Sequence, residues 1–263
     1  MRAKDINFDP QVKDGRKLYS FQLIEDTLEE FELSDQIDNI IEIIIFDSII
    51  GNGDRHQENW AFINKLTFFD RQMEVFERVV RTGEHKKMPK FLQNLIGIFI
   101  DPKKKEITPE TKATALRLKQ PKSFAPIFDN GSSLGRELET GRIDRMLENE
   151  QELLAYINRG VSEIHWDLNI SGSQEGSNTN KLTHIELIEN LLGSSYSEIT
   201  ENILRRVIEK YDINRIRDMV MSIDSLVPGR CEKFKLPENR KMLIIKLITL
   251  RIERLKTQLH ERL

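Results

Sequence analysis

The chain has 263 residues and a formal net charge of −3 at pH 7, so it can bury a full core but shows no general affinity for nucleic acid. Its single cysteine, Cys231, excludes an internal disulfide framework and is typical of a reducing compartment. The N-terminus lacks a signal-peptide pattern, and the longest apolar run, Ile40 to Ile50, is too short to span a bilayer. We therefore expect a cytoplasmic protein that binds neither membranes nor nucleic acid directly.

Two amphipathic stretches precede a tight polar loop. Ser20 is placed to cap a helix that runs to about Phe31, with apolar residues at helical spacing. Ser34 or Asp35 is placed to cap a second helix, which runs to about Ile50 and has a broad face of isoleucines. This second helix is expected to lead the chain directly into the loop.

The loop Gly51–Asn59 carries an unusual density of chemically active side chains between two apolar segments. Phosphoryl transfer needs a carboxylate for the attacking hydroxyl and oxygen ligands for Mg²⁺. Asp54 suits the first role and Asn59 the second, with the Asp-to-Asn spacing of the kinase loop H-R-D-x-x-x-x-N. Arg55 and His56 are further catalytic candidates, and the alternative is that they stabilise the loop through hydrogen bonds.

A basic insert follows a short strand predicted at Trp60–Ile63. Residues 65–123 contain 14 lysines and arginines against 7 aspartates and glutamates. Helices are predicted at Arg71–Thr82, at Pro89–Ile100 and from Thr108 onward. Two interpretations stay open: a surface for an acidic substrate or phosphorylated partner, or a solvated helical insertion.

A second acidic motif, FAPIFDNGSSLG, begins at Phe124. Its apolar stretch leads to Asp129, and Gly131 allows the chain to turn directly afterwards. A carboxylate at the end of a strand parallels the metal-binding D-F-G element of kinases, with Asn130 in the place of phenylalanine. The sequence therefore predicts Asp129 as a second Mg²⁺ ligand and Asn130 as a neighbour of the cofactor; an ordinary turn is the alternative.

Helical sequence dominates the rest of the chain. An amphipathic stretch is predicted at Arg142–Asn158 and a polar linker at Ser171–Asn180. A capping box at Thr183 predicts a helix that ends near Gly193 and places His184 on the surface. The remaining predicted helices of the C-terminal region, residues 181–263, are Ser197–Lys210, Ile213–Ser222 and Pro237–Leu259. Because strands are few, the predicted class is mainly α (α+β) with a small β element around the site.

The motifs G-N-x-D-R-H-x-x-N-W and F-A-P-I-F-D-N-G together resemble the C-terminal catalytic lobe of the HipA-like serine/threonine kinases of bacterial toxin–antitoxin systems. They are more distantly similar to the phosphatidylinositol 3/4-kinases. The resemblance implies a kinase-like C-terminal lobe over residues 1–263 that uses ATP and Mg²⁺ to phosphorylate a protein substrate. It implies Asp54 as the catalytic base and Asn59 and Asp129 as metal ligands. The insert is a departure, since the two motifs usually lie closer together in HipA-like kinases.

The 53 residues before Asp54 contain no G-x-G-x-x-G and no convincing strand lysine, the elements with which kinases hold ATP phosphates. An ATP-clamping N-lobe is therefore not evident. Three interpretations stay open: a truncated chain, a subunit that another chain completes, or a pseudokinase. An N-lobe chain or an antitoxin is the partner that these interpretations and the resemblance imply. Two alternative functions stay open. One is a lipid or small-molecule kinase of phosphatidylinositol-kinase type, and the other is a non-catalytic binding module that keeps the fold.

Overall fold

The structure, a computed structural model, describes residues 18–63, 74–75, 77–101, 106–107, 123–167 and 181–260. The chain divides into two compact units, a large unit of residues 1–60 and 127–263 and an insert unit of residues 61–126. The described helices are α1 (Phe21–Glu30), α2 (Ile37–Ile50), α3 (Lys90–Phe99), α4 (Thr140–Glu148), α5 (Glu150–Asn158), α6 (His184–Leu192), α7 (Ser197–Lys210), α8 (Ile213–Ser222) and α9 (Glu238–His260). The described strands are β1 (Phe62–Ile63), β2 (Ile100–Asp101), β3 (Glu106–Ile107) and β4 (Ser123–Phe124). The predicted mainly α class with a small β element is confirmed.

Helix α2 lies in the core of the large unit. Asp38 and Glu42 are exposed, but seven isoleucines are buried around the rest of the helix, as expected for a helix that others enclose on most sides: Ile37, Ile40, Ile41, Ile43, Ile44, Ile45 and Ile50. It packs against α6, α7 and α9. Gly51 ends the helix in the left-handed conformation, with a φ of 68°, which glycine adopts without steric cost. The end of α2 is therefore fixed in position where the polar loop begins.

The two predicted N-terminal helices differ in how they start. Ser20 caps α1 as predicted, since its Oγ accepts a hydrogen bond from the Leu23 N–H at 3.1 Å. The predicted cap of the second helix is wrong. Ser34 and Asp35 lie in a 3₁₀ turn that precedes α2, and α2 begins after Gln36 without a side-chain cap. Burial of the isoleucine face stabilises α2 in place of a capping bond.

The stretch predicted as one amphipathic segment at 142–158 forms two helices, α4 and α5. Asn149 separates them, because its side chain accepts hydrogen bonds from the N–H groups of Gln151 and Glu152 and so starts a new helix. Apolar residues of both helices pack with α9 in one cluster: Leu138, Ile143, Met146, Leu153, Ile157, Leu243 and Leu247. The break lets two short helices, α4 and α5, contact the same long helix.

The C-terminal helices follow the sequence prediction closely. The capping box at Thr183 is present, and α7 and α8 have the predicted bounds. Helix α9 spans Glu238–His260, one residue later at each end than predicted. The predicted linker at 171–180 lies outside the described residues. Of the helices in the described ranges, none combines the length and apolar composition that crossing a bilayer requires.

The expectation that His184 lies on the surface is wrong. Its residue surface is only 6% exposed, although it occupies the first turn of α6, where capping boxes usually meet solvent. Burial and the nearby charge of Arg251 lower the pKa of His184 from 6.5 to about 4. The imidazole is therefore neutral at pH 7, and its protonation on acidification opposes folding.

We predict that His184 makes the protein acid-sensitive. Because its pKa is about 4 in the folded state and 6.5 when unfolded, its contribution to stability is complete above pH 6.5 and is lost as the pH falls towards 4. The difference between the two pKa values corresponds to about 3 kcal/mol. Urea unfolding of His184→Met at pH 7 and pH 4.5 should show a smaller loss of stability than the parent chain. His260→Gln, at an exposed histidine of α9, is the control and should behave like the parent.

The insert unit contains two small antiparallel pairs. Strand β1 pairs with β4, in the register Phe62 to Phe124, and β2 pairs with β3. The predicted strand at 60–63 is thus shorter than expected. Residues 77–82 are helical, within the predicted 71–82, and α3 confirms the helix predicted at 89–100. The helix predicted from Thr108 lies outside the described residues.

Candidate active site

The buried arginine of the polar loop connects three parts of the large unit. The residue surface of Arg55 is 1% exposed. Its Nε and Nη2 donate to the two carboxylate oxygens of Asp47 on α2, at 2.8 and 2.7 Å. Its Nη1 donates to the carbonyl oxygens of Asn59 and Phe128 at 2.9 and 2.6 Å, and Nη2 also donates to Asn130 Oδ1 at 2.6 Å. All five N–H groups of the guanidinium therefore have acceptors.

These contacts join the two sequence motifs that are separated by the insert. Two further hydrogen bonds, one from the backbone and one from a side chain, hold the turn after Asp129. The Leu134 N–H donates to the Ile50 carbonyl oxygen at the end of α2, at 2.8 Å, and Arg240 Nη1 donates to the Gly135 carbonyl oxygen at 2.9 Å. The loop and the Asp-Asn-Gly turn therefore lie side by side in the large unit.

Asp47 is a site residue that the sequence analysis did not single out. Burial raises the pKa of this carboxyl group, and the hydrogen bonds and positive charge of Arg55 oppose that effect. Its Oδ1 also accepts a hydrogen bond from Asn52 Nδ2 at 3.2 Å. The available signal was a carboxylate inside the apolar run Ile43–Ile50, because a carboxylate that is buried there needs a partner.

Asp54 is exposed and lies at an open cavity of about 540 Å³ that is lined by Gly53, Asp54, Ser132, Arg136 and Glu137. Ser132 Oγ donates to its Oδ2 at 3.5 Å, the long limit for a hydrogen bond. The backbone beneath the carboxylate is well held, because Asn59 Nδ2 donates to the Asp54 carbonyl oxygen at 2.7 Å. The carboxylate is thus accessible to a ligand on a fixed backbone.

Two positions close to Asp54 require glycine, because neighbouring atoms leave no room there for a Cβ atom. A Cβ atom on Gly53 would lie 2.8 Å from the Val161 carbonyl oxygen, a distance that real Cβ atoms do not show. A Cβ atom on Gly51 would collide with the Arg251 guanidinium. The two glycines that flank Asn52 therefore let the loop lie directly on α9 and on the segment after α5.

The two predicted metal ligands differ in exposure. Asn59 is 3% exposed, and because its Nδ2 is bonded to Asp54, its Oδ1 is the side-chain atom left for a cation. Asp129 is exposed, and no described residue hydrogen-bonds or ion-pairs with its carboxylate. One carboxylate and one amide oxygen fit Mg²⁺, which typically takes one or two protein ligands and completes its shell with phosphate and water. Within the described residues there is no group of three or more histidine, cysteine, aspartate or glutamate side chains that could hold a metal ion.

Asp129 has an unusual backbone conformation. Its φ is 54°, in the left-handed region, where non-glycine residues are uncommon but aspartate and asparagine are tolerated best. Such conformations cluster at functional sites, where the surrounding structure holds them. Here the bonds from Arg55 to the flanking residues Phe128 and Asn130 fix the segment on both sides.

The remaining predicted site residues have structural contacts. The geometry of Arg55 favours the alternative that it stabilises the loop, since none of its N–H groups is left for a ligand. His56 Nδ1 accepts a hydrogen bond from the Glu58 N–H at 3.3 Å, which also stabilises the loop. Asn130 uses its Oδ1 to accept from Arg55, so its Nδ2 is the side-chain group left for a cofactor.

The fold and site define a mainly α protein in which a buried arginine joins a polar Asp-Asn loop to an Asp-Asn-Gly turn. No protein-family model matches the sequence, and no curated protein does either. Among solved structures, the chain is similar to a Helicobacter pylori proinflammatory kinase, CtkA, with 16% identity and a TM-score of 0.45. The match covers 87% of this chain and 56% of that kinase, so this chain spans little more than half of its length. A likeness of this size concerns the chain path alone. The chemistry of the site has to be inferred from its own side chains.

Proposed function

We propose that this chain is the catalytic lobe of an ATP-dependent phosphotransferase, of the HipA type of protein serine/threonine kinase. One observation carries the proposal. Arg55 donates hydrogen bonds to Asn59 in the first motif and to Phe128 and Asn130 in the second, across a sequence separation of up to 75 residues. These contacts support a common site, because they bring together the two motifs whose residues resemble those of kinases.

The proposed roles follow from exposure and partners. Asp54, exposed at its cavity, accepts the proton of the attacking hydroxyl group. Asn59 Oδ1 and the Asp129 carboxylate would hold Mg²⁺ together with ATP, which would supply the phosphoryl group. Asp47, Arg55 and Asn130 keep these groups in position, and positioning is a large part of catalysis in phosphoryl transfer.

Labelled ATP tests the reaction and its acceptor. The chain is incubated with ATP, Mg²⁺, a mixture of candidate proteins and phosphatidylinositol vesicles. Label in protein supports the proposal, whereas label in lipid alone supports the phosphatidylinositol-kinase alternative. Mg²⁺-dependent binding of ATP without transfer to any acceptor, also when an N-lobe polypeptide is added in trans, supports a non-catalytic module that keeps the fold.

We predict that Asp129→Asn weakens Mg²⁺-dependent ATP binding by roughly tenfold, because it removes one charged contact to the cation. Asparagine also tolerates the left-handed conformation at this position, so the variant should keep the fold. Asn59→Ala should cost less ATP affinity, since an amide oxygen is the weaker ligand for a hard cation.

Calorimetric titration of each variant with ATP, with and without Mg²⁺, measures the two effects separately. If Asp129→Asn loses the same ATP affinity with and without Mg²⁺, then Asp129 does not bind the metal ion. Equal losses in the two variants would contradict the ranking of the ligands.

A further inference from the structure

A second buried arginine in the large unit has few partners. Arg251 on α9 is 6% exposed, and no described carboxylate lies within ion-pair distance of it. Its Nη1 donates to the Ile49 carbonyl oxygen at 3.4 Å, and it lies near Tyr156, whose hydroxyl donates to Glu137 at 2.7 Å. Burial lowers the pKa of Arg251, and Tyr156 and Glu137 oppose that effect. No nitrogen of this guanidinium is a buried atom without a partner, so its N–H groups that make no bond are open to the cavity that Arg251 lines.

Arg251 lines a cavity of about 300 Å³ that is separate from the cavity at Asp54. Arg254, one turn further along α9 and partly exposed, lines the same cavity. His184 lines it as well, and its Nε2 is buried without a hydrogen-bond partner. The cavity thus combines two guanidinium groups with the ring of a buried histidine, and guanidinium groups suit an anion.

The N-terminus of α6 contributes to the same cavity. Helix α6 has nine residues, and its cap Thr183 and first-turn residues are part of the cavity lining. The N–H groups of Thr183, His184 and Glu186 already donate within the protein, so this end of α6 offers an anion the Ile185 N–H and the helix dipole. The carboxylate of Glu186 also lines the cavity, but its Oε2 accepts from the Thr183 N–H and Oγ1, both at 2.8 Å, in the capping box. Its negative charge therefore lies at the N-terminus of α6, where Arg251 and Arg254 are the two positive charges of the cavity.

We propose that this cavity binds a phosphate group, as the free ion or as a small phosphomonoester. Two arginines and a helix N-terminus form the donor arrangement that recognises phosphate in proteins. The volume of about 300 Å³ is at the lower end for small-molecule pockets, which fits a phosphate with few further atoms. A bound phosphate supplies the acceptors that the Arg251 guanidinium lacks.

The position of Arg251 links this cavity to the polar loop. Its guanidinium lies against Gly51 and the Ile49 carbonyl oxygen, at the end of α2 where the loop with Asp54 begins.

Thermal unfolding in the presence of inorganic phosphate tests the binding without ATP or Mg²⁺, at constant ionic strength. We expect a saturable rise of the unfolding midpoint with phosphate, because a ligand of the folded state stabilises it by mass action. Arg254→Gln should raise the apparent Kd for phosphate at least tenfold, about one charged hydrogen bond. Arg136→Gln, in the cavity at Asp54, is the matched control and should leave the phosphate Kd unchanged.

The pattern of the two variants decides between the cavities. Loss of phosphate binding in Arg136→Gln but not in Arg254→Gln would assign the ion to the cavity at Asp54 and overturn the proposal. The proposal would also be overturned if phosphate raised the unfolding midpoint of both variants and of the parent equally. The same holds if acetate raised the midpoint in the absence of phosphate. If glycerol 3-phosphate binds more tightly than inorganic phosphate, the ligand is a phosphomonoester; the opposite order identifies the free ion. Since no step of this test requires phosphoryl transfer, it can succeed where the proposed function fails.

Discussion

Asp54→Asn is expected to lower the rate of phosphoryl transfer by roughly 10²–10⁴-fold, the usual contribution of a positioned general base. The amide cannot accept the proton of the attacking hydroxyl, although it has nearly the same size. Thermal stability should stay the same, because Asp54 is exposed and its carboxylate has a single long hydrogen bond, from Ser132. Transfer of labelled phosphate and thermal unfolding are the two measurements.

The matched control for Asp54→Asn is Glu58→Gln, which neutralises another exposed carboxylate of the same loop. Glu58 does not line the cavity at Asp54, so this variant should transfer phosphate at the parent rate. A rate near that of the parent in Asp54→Asn itself would exclude Asp54 from the chemistry. Equal losses in both variants would mean that the loop responds to charge alone.

Arg55→Met should destabilise the protein by about 3–5 kcal/mol, the cost of leaving a buried charge without its partner. The change leaves the Asp47 carboxylate, 3% exposed, without the guanidinium that opposes its burial. It also removes the donors to Phe128 and Asn130, so both motifs lose their shared contact. Urea unfolding gives the change in the free energy of unfolding.

A double-mutant cycle separates the ion pair from the other bonds of Arg55. The variant Arg55→Met with Asp47→Leu should lose less stability than the sum of the two single variants, since neither buried charge remains. Additive losses would show that Arg55 and Asp47 do not interact. Arg206→Met is the surface control: its partner is Glu42, both side chains are about half exposed, and the loss should be under about 1 kcal/mol.

The helices could be read from the sequence where local signals agree with packing. The capping box at Thr183 and the isoleucine pattern of α2 are such cases, and both helices form as expected. The break at Asn149 was missed because the apolar spacing continues across it, and only the side-chain cap reveals the second start. His184 was misjudged because a position in a capping box says nothing about the tertiary contacts that bury it.

The candidate site was predictable as a set of residues but not as an arrangement. The spacing of Asp54 and Asn59 indicated a loop with phosphoryl-transfer chemistry, and Asp129 was found from its own motif. Sequence left open whether Arg55 acts on a ligand or stabilises the loop, because an arginine can do either. Its partners favour the stabilising role, and they include Asp47, eight residues earlier in the apolar run that ends α2.

The left-handed conformation of Asp129 has an evolutionary consequence. Of the residues with side chains, asparagine and aspartate fit this backbone best, and a single nucleotide change converts the aspartate codon into an asparagine codon. A descendant chain could therefore exchange its proposed metal-binding carboxylate for an amide in one step while its fold persists. In such a lineage, good expression and a high unfolding temperature would carry no information about catalysis, and the identity of this one residue would mark the difference between an enzyme and its inactive relative.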